Sequence, residues 1–191
     1  MRRIFNKLKL FKYKNIIQNI DVLVIHKSEE HLIEKYILNP INAQYYTIYP
    51  EKELFINIKI VKMMVANLYN GYTLRCSYIR SLLNVINPKI TLTFIDDSII
   101  ASEFAKIKGN IKHYAIQNGK RKRSQLESIH PEYGENQEKI YLDNFFCFGD
   151  YEEYMYKKYN HHVNNYLPVG SFRNSIAESL YKKKEKYDIC L

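Results

Sequence analysis

Apolar residues along this chain fall into two alternating patterns: short β-branched runs, and longer stretches in which apolar positions recur at three- and four-residue spacing. Asp21-Val-Leu-Val-Ile-His26, bounded by polar residues, predicts a buried parallel strand. Lys27 to Leu38 predicts a helix with Ser28 at its N-cap, closed by Pro40. Tyr45 to Tyr49 predicts a second strand, and Leu54 to Lys59 reads either as a third strand or as the start of a helix running to Tyr69. After the Asn70-Gly71 turn, Ile79, Leu82, Leu83 and Ile86 follow helical spacing, and Pro88 closes that helix. Lys89 to Ile95 and Ile111 to Ile116 predict strands flanking a helix from Ser98 to Lys108, with Ser98 as N-cap and Gly109-Asn110 as the stop. Residues 120–143 predict a long irregular loop, of a length that tends to be functional or mobile. Then come a strand-to-turn at Asn144 to Asp150, a helix from Tyr151 to Tyr159, a strand and Gly turn at Asn165 to Ser171, a helix from Arg173 to Lys184, and a fresh strand at Tyr187 to Leu191. This alternation predicts an α/β class with a doubly wound, mainly parallel sheet.

The centre of the pattern is the βαβ unit from Pro88 to Arg123, whose strand exits carry Asp96-Asp97-Ser98 and Gln117-Asn118-Gly119. Ligands of open parallel sheets bind outside the carboxyl ends of strands, so these exits are the first place to look for chemistry. Asp96 and Asp97 suit a general base or a binder of hydroxyl-rich substrate, and equally a helix N-terminus that uses acids and Ser to satisfy orphan amides. Gln117 and Asn118 supply uncharged donors and acceptors, and Gly119 lets a ligand approach the backbone; Asn-Gly is also a plain turn signal. Lys120-Arg121-Lys122-Arg123 reads either as a phosphate contact or as a solvated loop face. Gly170, Ser171 and Arg173 sit where a Gly turn feeds a helix N-terminus, a place for an anion. Of the histidines, His26 at a strand exit is the best placed for a cleft, while the adjacent pair His161-His162 reads as surface.

Composition narrows the classes. A chain of 191 residues with 46% hydrophobic and 26% charged content favours one well-cored domain. Eighteen Tyr, no Trp and abundant Ile, Lys and Asn fit the drift of an AT-rich genome, which discounts part of the net charge of +9. The remainder favours anionic partners, but no RNP signature, zinc-finger spacing or helix-turn-helix appears, so nucleic acid is not expected. Cys76, Cys147 and Cys190 form no CxxC pair or disulfide framework, which points to a reducing cytoplasm, with Cys147 as a core residue. No His/Cys spacing suits a metal, neither GxGxxG nor GxxxxGK[ST] occurs, and no cofactor is expected. Six cations and no acid lie within the first 14 residues, which reads as a surface helix or as a tether to anionic lipid at the inner face of the cell membrane.

Four ordered stretches carry a resemblance: Asn-Pro-Lys-Ile-Thr-Leu-Thr-Phe-Ile-Asp-Asp-Ser98, Tyr-Ala-Ile-Gln-Asn-Gly-Lys-Arg121, Phe-Phe-Cys-Phe-Gly-Asp-Tyr-Glu152 and Leu-Pro-Val-Gly-Ser-Phe-Arg-Asn174. Together, over roughly residues 74–176, they resemble the N-terminal half of bacterial surface-carbohydrate (polysaccharide) biosynthesis transferases of GT-B-like architecture, and more distantly the CDP-glycerol glycerophosphotransferases. The resemblance implies a Rossmann-like domain over 21–185, after a basic segment over 1–20, with 186–191 starting a second domain that is missing. It implies the acceptor-side domain of a glycosyl- or glycerophosphate-transferase, truncated or split from a separate C-terminal domain chain and incomplete as a catalyst alone. Its partners would be a nucleotide-activated sugar or CDP-glycerol and a glycan or lipid-linked acceptor, with peripheral membrane contact. Asp96, Asp97 and Asn118 would take the catalytic positions, and His26, Gln117, Gly119, Lys120, Arg121, Gly170, Ser171 and Arg173 the binding ones. Relatives often read Gln-His-Gly where this chain has Asn118, which favours positioning over acid/base chemistry. The alternative is a non-catalytic α/β binding module for a nucleotide or protein partner; a flavodoxin-like regulator is disfavoured by His26-Lys27 where acids are needed.

Overall fold

The computed structural model describes residues 11–13, 18–26, 29–50, 52–107, 109–121, 126 and 139–181, the first three as backbone only. Six strands form one parallel sheet in the spatial order β3-β2-β5-β6-β7-β8. They are β2 (Val22–Ile25), β3 (Tyr45–Ile48), β5 (Ile90–Thr93), β6 (Lys112–Ile116), β7 (Tyr141–Cys147) and β8 (His162–Pro168). β2 pairs with β3 on one side and with β5 on the other, Leu23 lying opposite both Tyr46 and Thr91. The chain therefore steps one way from β2 to β3 and then crosses back over to β5. That reversal makes the β2–β5 boundary the topological switch point, where the loops diverge and leave a crevice.

Period-two alternation assigns the faces. Leu23, Ile25 and Ile48 point into a cluster built with α3 (Leu74–Ile86) and with Phe104 of α4 (Ile99–Ala105). Ala115, Phe145 and Cys147 continue that face against Met155 and Tyr156 of α5 (Asp150–Lys158). The opposite face presents Val22, Val24, Leu92, Phe94 and Ile116 to Ile33 and Leu38, and to Phe172 at the start of α6 (Phe172–Tyr181). Helices thus cover both faces, as the alternation predicts. Between the Leu38 side and α6 the second face stays open as an apolar groove of about 470 Å³.

The local signals act as physical chemistry dictates. Thr73 and Ser98 cap their helices by accepting from Cys76 N and Ala101 N, and Asn87 ends α3 at φ 51°, the left-handed stop that precedes Pro88. Several expectations need correction. The predicted helix after β2 is α1 (Glu30–Ile33), which widens into a π turn over Glu34–Leu38 and tightens to a 3₁₀ turn over Asn39–Ile41. Pro40 sits inside that last turn, where its missing N–H costs nothing, and the left-handed Asn42 at φ 50° ends it. Both readings of residues 54–69 hold in sequence: β4 (Leu54–Ile56) precedes α2 (Ile58–Tyr69), with Asn57 capping by accepting from Ile60 N at 2.8 Å. β4 lies outside the main sheet and pairs in parallel with β1 (Phe11–Tyr13), so that part of the basic N-terminal segment is strand rather than helix. β7 and β8 each begin three residues before the predicted strands. His161 is buried rather than on the surface, because both ring nitrogens meet backbone groups: Nδ1 accepts from Ile140 N at 3.3 Å, and Nε2 lies 3.1 Å from Leu126 O. The Ser28 cap, most of the 120–143 loop and the 187–191 strand lie outside the described residues.

Candidate functional site

The switch-point crevice holds His26, the first residue after β2. It is 1% exposed and stands at φ 76°, a strained value for a residue with a Cβ. Its Nδ1 lies 3.3 Å from Thr93 Oγ1, its Nε2 lies 3.2 Å from Ser98 Oγ, and the Tyr49 ring packs edge-on. Ser98 Oγ already accepts from Ala101 N, which leaves its own proton to give to Nε2. In that arrangement Nδ1–H donates to Thr93. The pairing of a hydroxyl with an imidazole has the outline of an activated nucleophile, but Ser98 is buried and already serves as a helix cap.

Beside it, at the exits of β5 and β6, Asp96 organises a second cluster. Its carboxylate is fully buried. Oδ1 accepts from an Arg121 Nη2–H and from the Asn118 backbone N–H at 3.3 Å. Oδ2 accepts from Arg121 Nε at 2.9 Å and from the Tyr156 hydroxyl at 2.8 Å. Each oxygen thus holds two donors, about the full acceptor capacity of a carboxylate. Arg121 Nη2 also donates to Asn118 Oδ1 at 2.7 Å and lies 3.1 Å from Asp97 Oδ1. Burial opposes the guanidinium charge, yet the bonds to Asp96 outweigh it and hold the Arg121 pKa above its ordinary value. Burial, and then the adjacent Asp96 charge, push the Tyr156 hydroxyl well above the usual phenol range, so it remains a donor.

Gln117 is buried behind this cluster, its Nε2 donating to Gly119 O at 3.0 Å and its Oε1 accepting from Phe148 N at 2.8 Å. Both ends of the amide are used: the nitrogen braces the β6 exit and the oxygen ties it to the β7 exit. Asn118 differs. Its backbone N–H and its Oδ1 are held, while among the described residues its half-buried Nδ2 makes no hydrogen bond, leaving a donor in a fixed position. Gly119 has open space around its missing Cβ, so the edge is uncrowded there.

The sequence-predicted residues therefore separate. Asp96, Asp97, Asn118 and Arg121 meet in one network, with Gln117 as its backing and His26 joined to the same β5 exit through Ser98. Arg121 is turned inward, only 10% of its side chain exposed, and in this arrangement it anchors the loop rather than reaching outward. Lys120 is exposed, and Lys122 and Arg123 lie outside the described residues. Gly170, at φ 83°, supplies the left-handed turn into α6, where Ser171 O and Oγ receive Ser175 N and Asn174 N. Phe172 packs edge-on to Phe94, and Arg173 lies over the Phe94 ring and pairs with Glu29 at 2.5 Å, which brings this turn alongside the β5 exit. Tyr156, Thr93 and Glu29 were not readable as site residues, since each partner lies 60 or more positions away in the chain.

Among the described residues no group of three or more His, Cys, Asp or Glu is arranged to hold a metal ion. Compared with known proteins, the chain matches no protein-family model, no curated protein and no solved structure.

Proposed function

We propose that this chain is the acceptor-side domain of a glycosyl- or glycerophosphate-transferase in surface carbohydrate assembly, where it positions substrate at the carboxyl edge of the sheet. One observation carries the reading: Asn118 is clamped by Asp96 and Arg121 with its Nδ2 donor unengaged among the described residues. The order of the four motifs supports it, because the β5, β6, β7 and β8 exits that bear them lie along one edge of the sheet. The substrate class is a nucleotide-activated sugar or CDP-glycerol with a glycan or lipid-linked acceptor. The role of Asn118 is to donate a hydrogen bond to a substrate oxygen, which favours the transition state by orientation rather than by proton transfer.

The test compares surface glycan in cells carrying the wild-type gene, lacking it, or carrying Asn118→Ala. Loss of glycan in both altered strains, with the variant protein still folded, is the expected result. Unchanged glycan in the deletion strain sinks the transferase reading.

A second reading, a non-catalytic α/β binding module for a nucleotide or protein, is favoured by the filled acceptor positions of Asp96 and by hydroxyl partners on both ring nitrogens of His26. Neither group stands ready to take a proton. Saturable binding of CDP-glycerol or a nucleotide sugar by calorimetry, with normal glycan in the deletion strain, would support this reading over the first.

A further inference from the structure

Helix α2 is apolar except at Lys59, Lys62 and Asn67. A helix of that kind belongs either in a protein core or against lipid. Ile60 is fully buried and faces the cluster shared with α3 and β4. The outward side is not covered. Ile58, Val61, Val65, Leu68 and Tyr69 follow three- and four-residue spacing and are 62%, 39%, 62%, 41% and 95% exposed. Scattered exposed apolar residues are ordinary, but a continuous stripe along a whole helix marks a contact surface.

The charge around the stripe names the partner. No acidic residue occurs between Glu53 and Asp96, a span that contains Lys59, Lys62, Arg75, Arg80 and Lys89. Lys59 and Lys62 are exposed on one flank of the stripe, and Arg75 is exposed at the start of α3. The elements packed against α2, namely β4 and α3, carry no acid. β1 pairs in parallel with β4, which sets the backbone of Phe11–Tyr13 beside the strand that leads into α2. An apolar stripe with exposed cations on one flank and no acid in α2, α3 or β4, ending in a tyrosine, suits the boundary between headgroups and acyl chains of an anionic bilayer. At 12 residues α2 is about 18 Å long. No helix among the described residues is long and apolar enough to cross a membrane.

We infer that the outer face of α2 is a membrane-docking surface, which lies in the interface plane of an anionic lipid bilayer with Ile58, Val61, Val65, Leu68 and Tyr69 in the acyl boundary and Lys59, Lys62 and Arg75 on lipid phosphates. This rests on the surface of α2 alone and is independent of the role of Asn118.

The test is flotation of the full chain with phosphatidylcholine vesicles, with and without about 30% phosphatidylglycerol. Binding is expected only to the anionic vesicles, and falls about tenfold between low and high salt as the cations are screened. Val65→Glu, at an exposed position that leaves the core untouched, lowers partitioning at least about tenfold with an unchanged circular dichroism spectrum and urea midpoint. Lys59→Glu with Lys62→Glu lowers it similarly. Leu180→Glu, on an exposed apolar residue of α6, is the control and leaves partitioning unchanged. Absence of wild-type binding to anionic vesicles overturns the inference, as does a Val65→Glu protein that floats like wild type. A dimer that Val65→Glu dissociates, with no vesicle binding, also overturns it and assigns the face to a second copy of the chain.

Discussion

The Asp96–Arg121 pair is the part of the site most open to a quantitative test. Two unit charges about 4 Å apart attract by about 4 kcal/mol at the effective dielectric of about 20 suited to protein sites. Desolvating them costs several kcal/mol per ion, so the intact pair contributes little net stability. Removing one partner is a different matter, because the other charge stays buried. Arg121→Met keeps much of the side-chain stem and deletes the guanidinium, leaving Asp96, among the described residues, with the Asn118 N–H and the Tyr156 hydroxyl. Stranding a buried charge costs about 3–5 kcal/mol, and the two surviving donors put the expectation at the lower end, about 3 kcal/mol. In the double variant Arg121→Met with Asp96→Asn no fully buried charge is left unpaired, so its cost is about 1–2 kcal/mol and the coupling between the sites is about 1 kcal/mol or more. The chain has no tryptophan, so far-UV circular dichroism in urea is the suitable assay. With a slope of about 3 kcal/mol per molar urea, Arg121→Met lowers the midpoint by about 1 M, and Asp96→Asn restores part of it. A midpoint shift under about 0.2 M, or a double variant no more stable than Arg121→Met, would refute the buried-anchor account.

Other consequences can be checked on the same protein. Burial lowers the His161 pKa from 6.5 to about 4, so the fold holds this ring neutral. Its stabilising contribution is complete above pH 6.5 and is lost as the pH falls toward 4. That contribution is worth about 2 kcal/mol after allowance for solvent screening. His161→Gln should flatten the stability profile across this window, apart from a residual slope from His113, whose pKa burial also lowers. Ser98→Ala removes the α4 cap and the hydroxyl that meets His26 Nε2. A loss of about 1–2 kcal/mol follows, read as a Tm lowered by about 2–6 °C. Phe145 is fully buried against the Tyr156 ring at 4.9 Å. Phe145→Ala should cost about 3–5 kcal/mol in the same urea assay, and a cost under about 1 kcal/mol would contradict its place in the core.

The polar exits were legible because strand ends followed by acids, amides or glycine stand out locally. Asp96, Asp97 and Asn118 were found in this way, and the network does join them. Their chemistry was not legible. Asp96 reads identically as a base and as an anchor until Tyr156, 60 positions away, fills one of its lone pairs. Arg121 reads as one of four cations in a solvated run, yet its guanidinium alone among the described cations is committed to the buried carboxylate. His161 and His162 look equivalent in sequence, but strand β8 starts between them and the two rings fall in opposite environments.

The sequence by itself determined the alternating α/β class, the cap at Ser98, the helix stop before Pro88 and the buried β-branched strands. These depend on interactions within a few residues, where spacing and side-chain chemistry are already present. Only the tertiary structure decided the strand order, with its switch point between β2 and β5, and the displacement of β4 from the main sheet onto β1. The same holds for the split between buried anchor and open donor at Asp96 and Asn118, and for the exposure of one side of the apolar helix α2. The physical reason is that burial and hydrogen-bond saturation are properties of the assembled neighbours. A carboxylate, an amide or a valine acquires its role from what the rest of the chain packs against it.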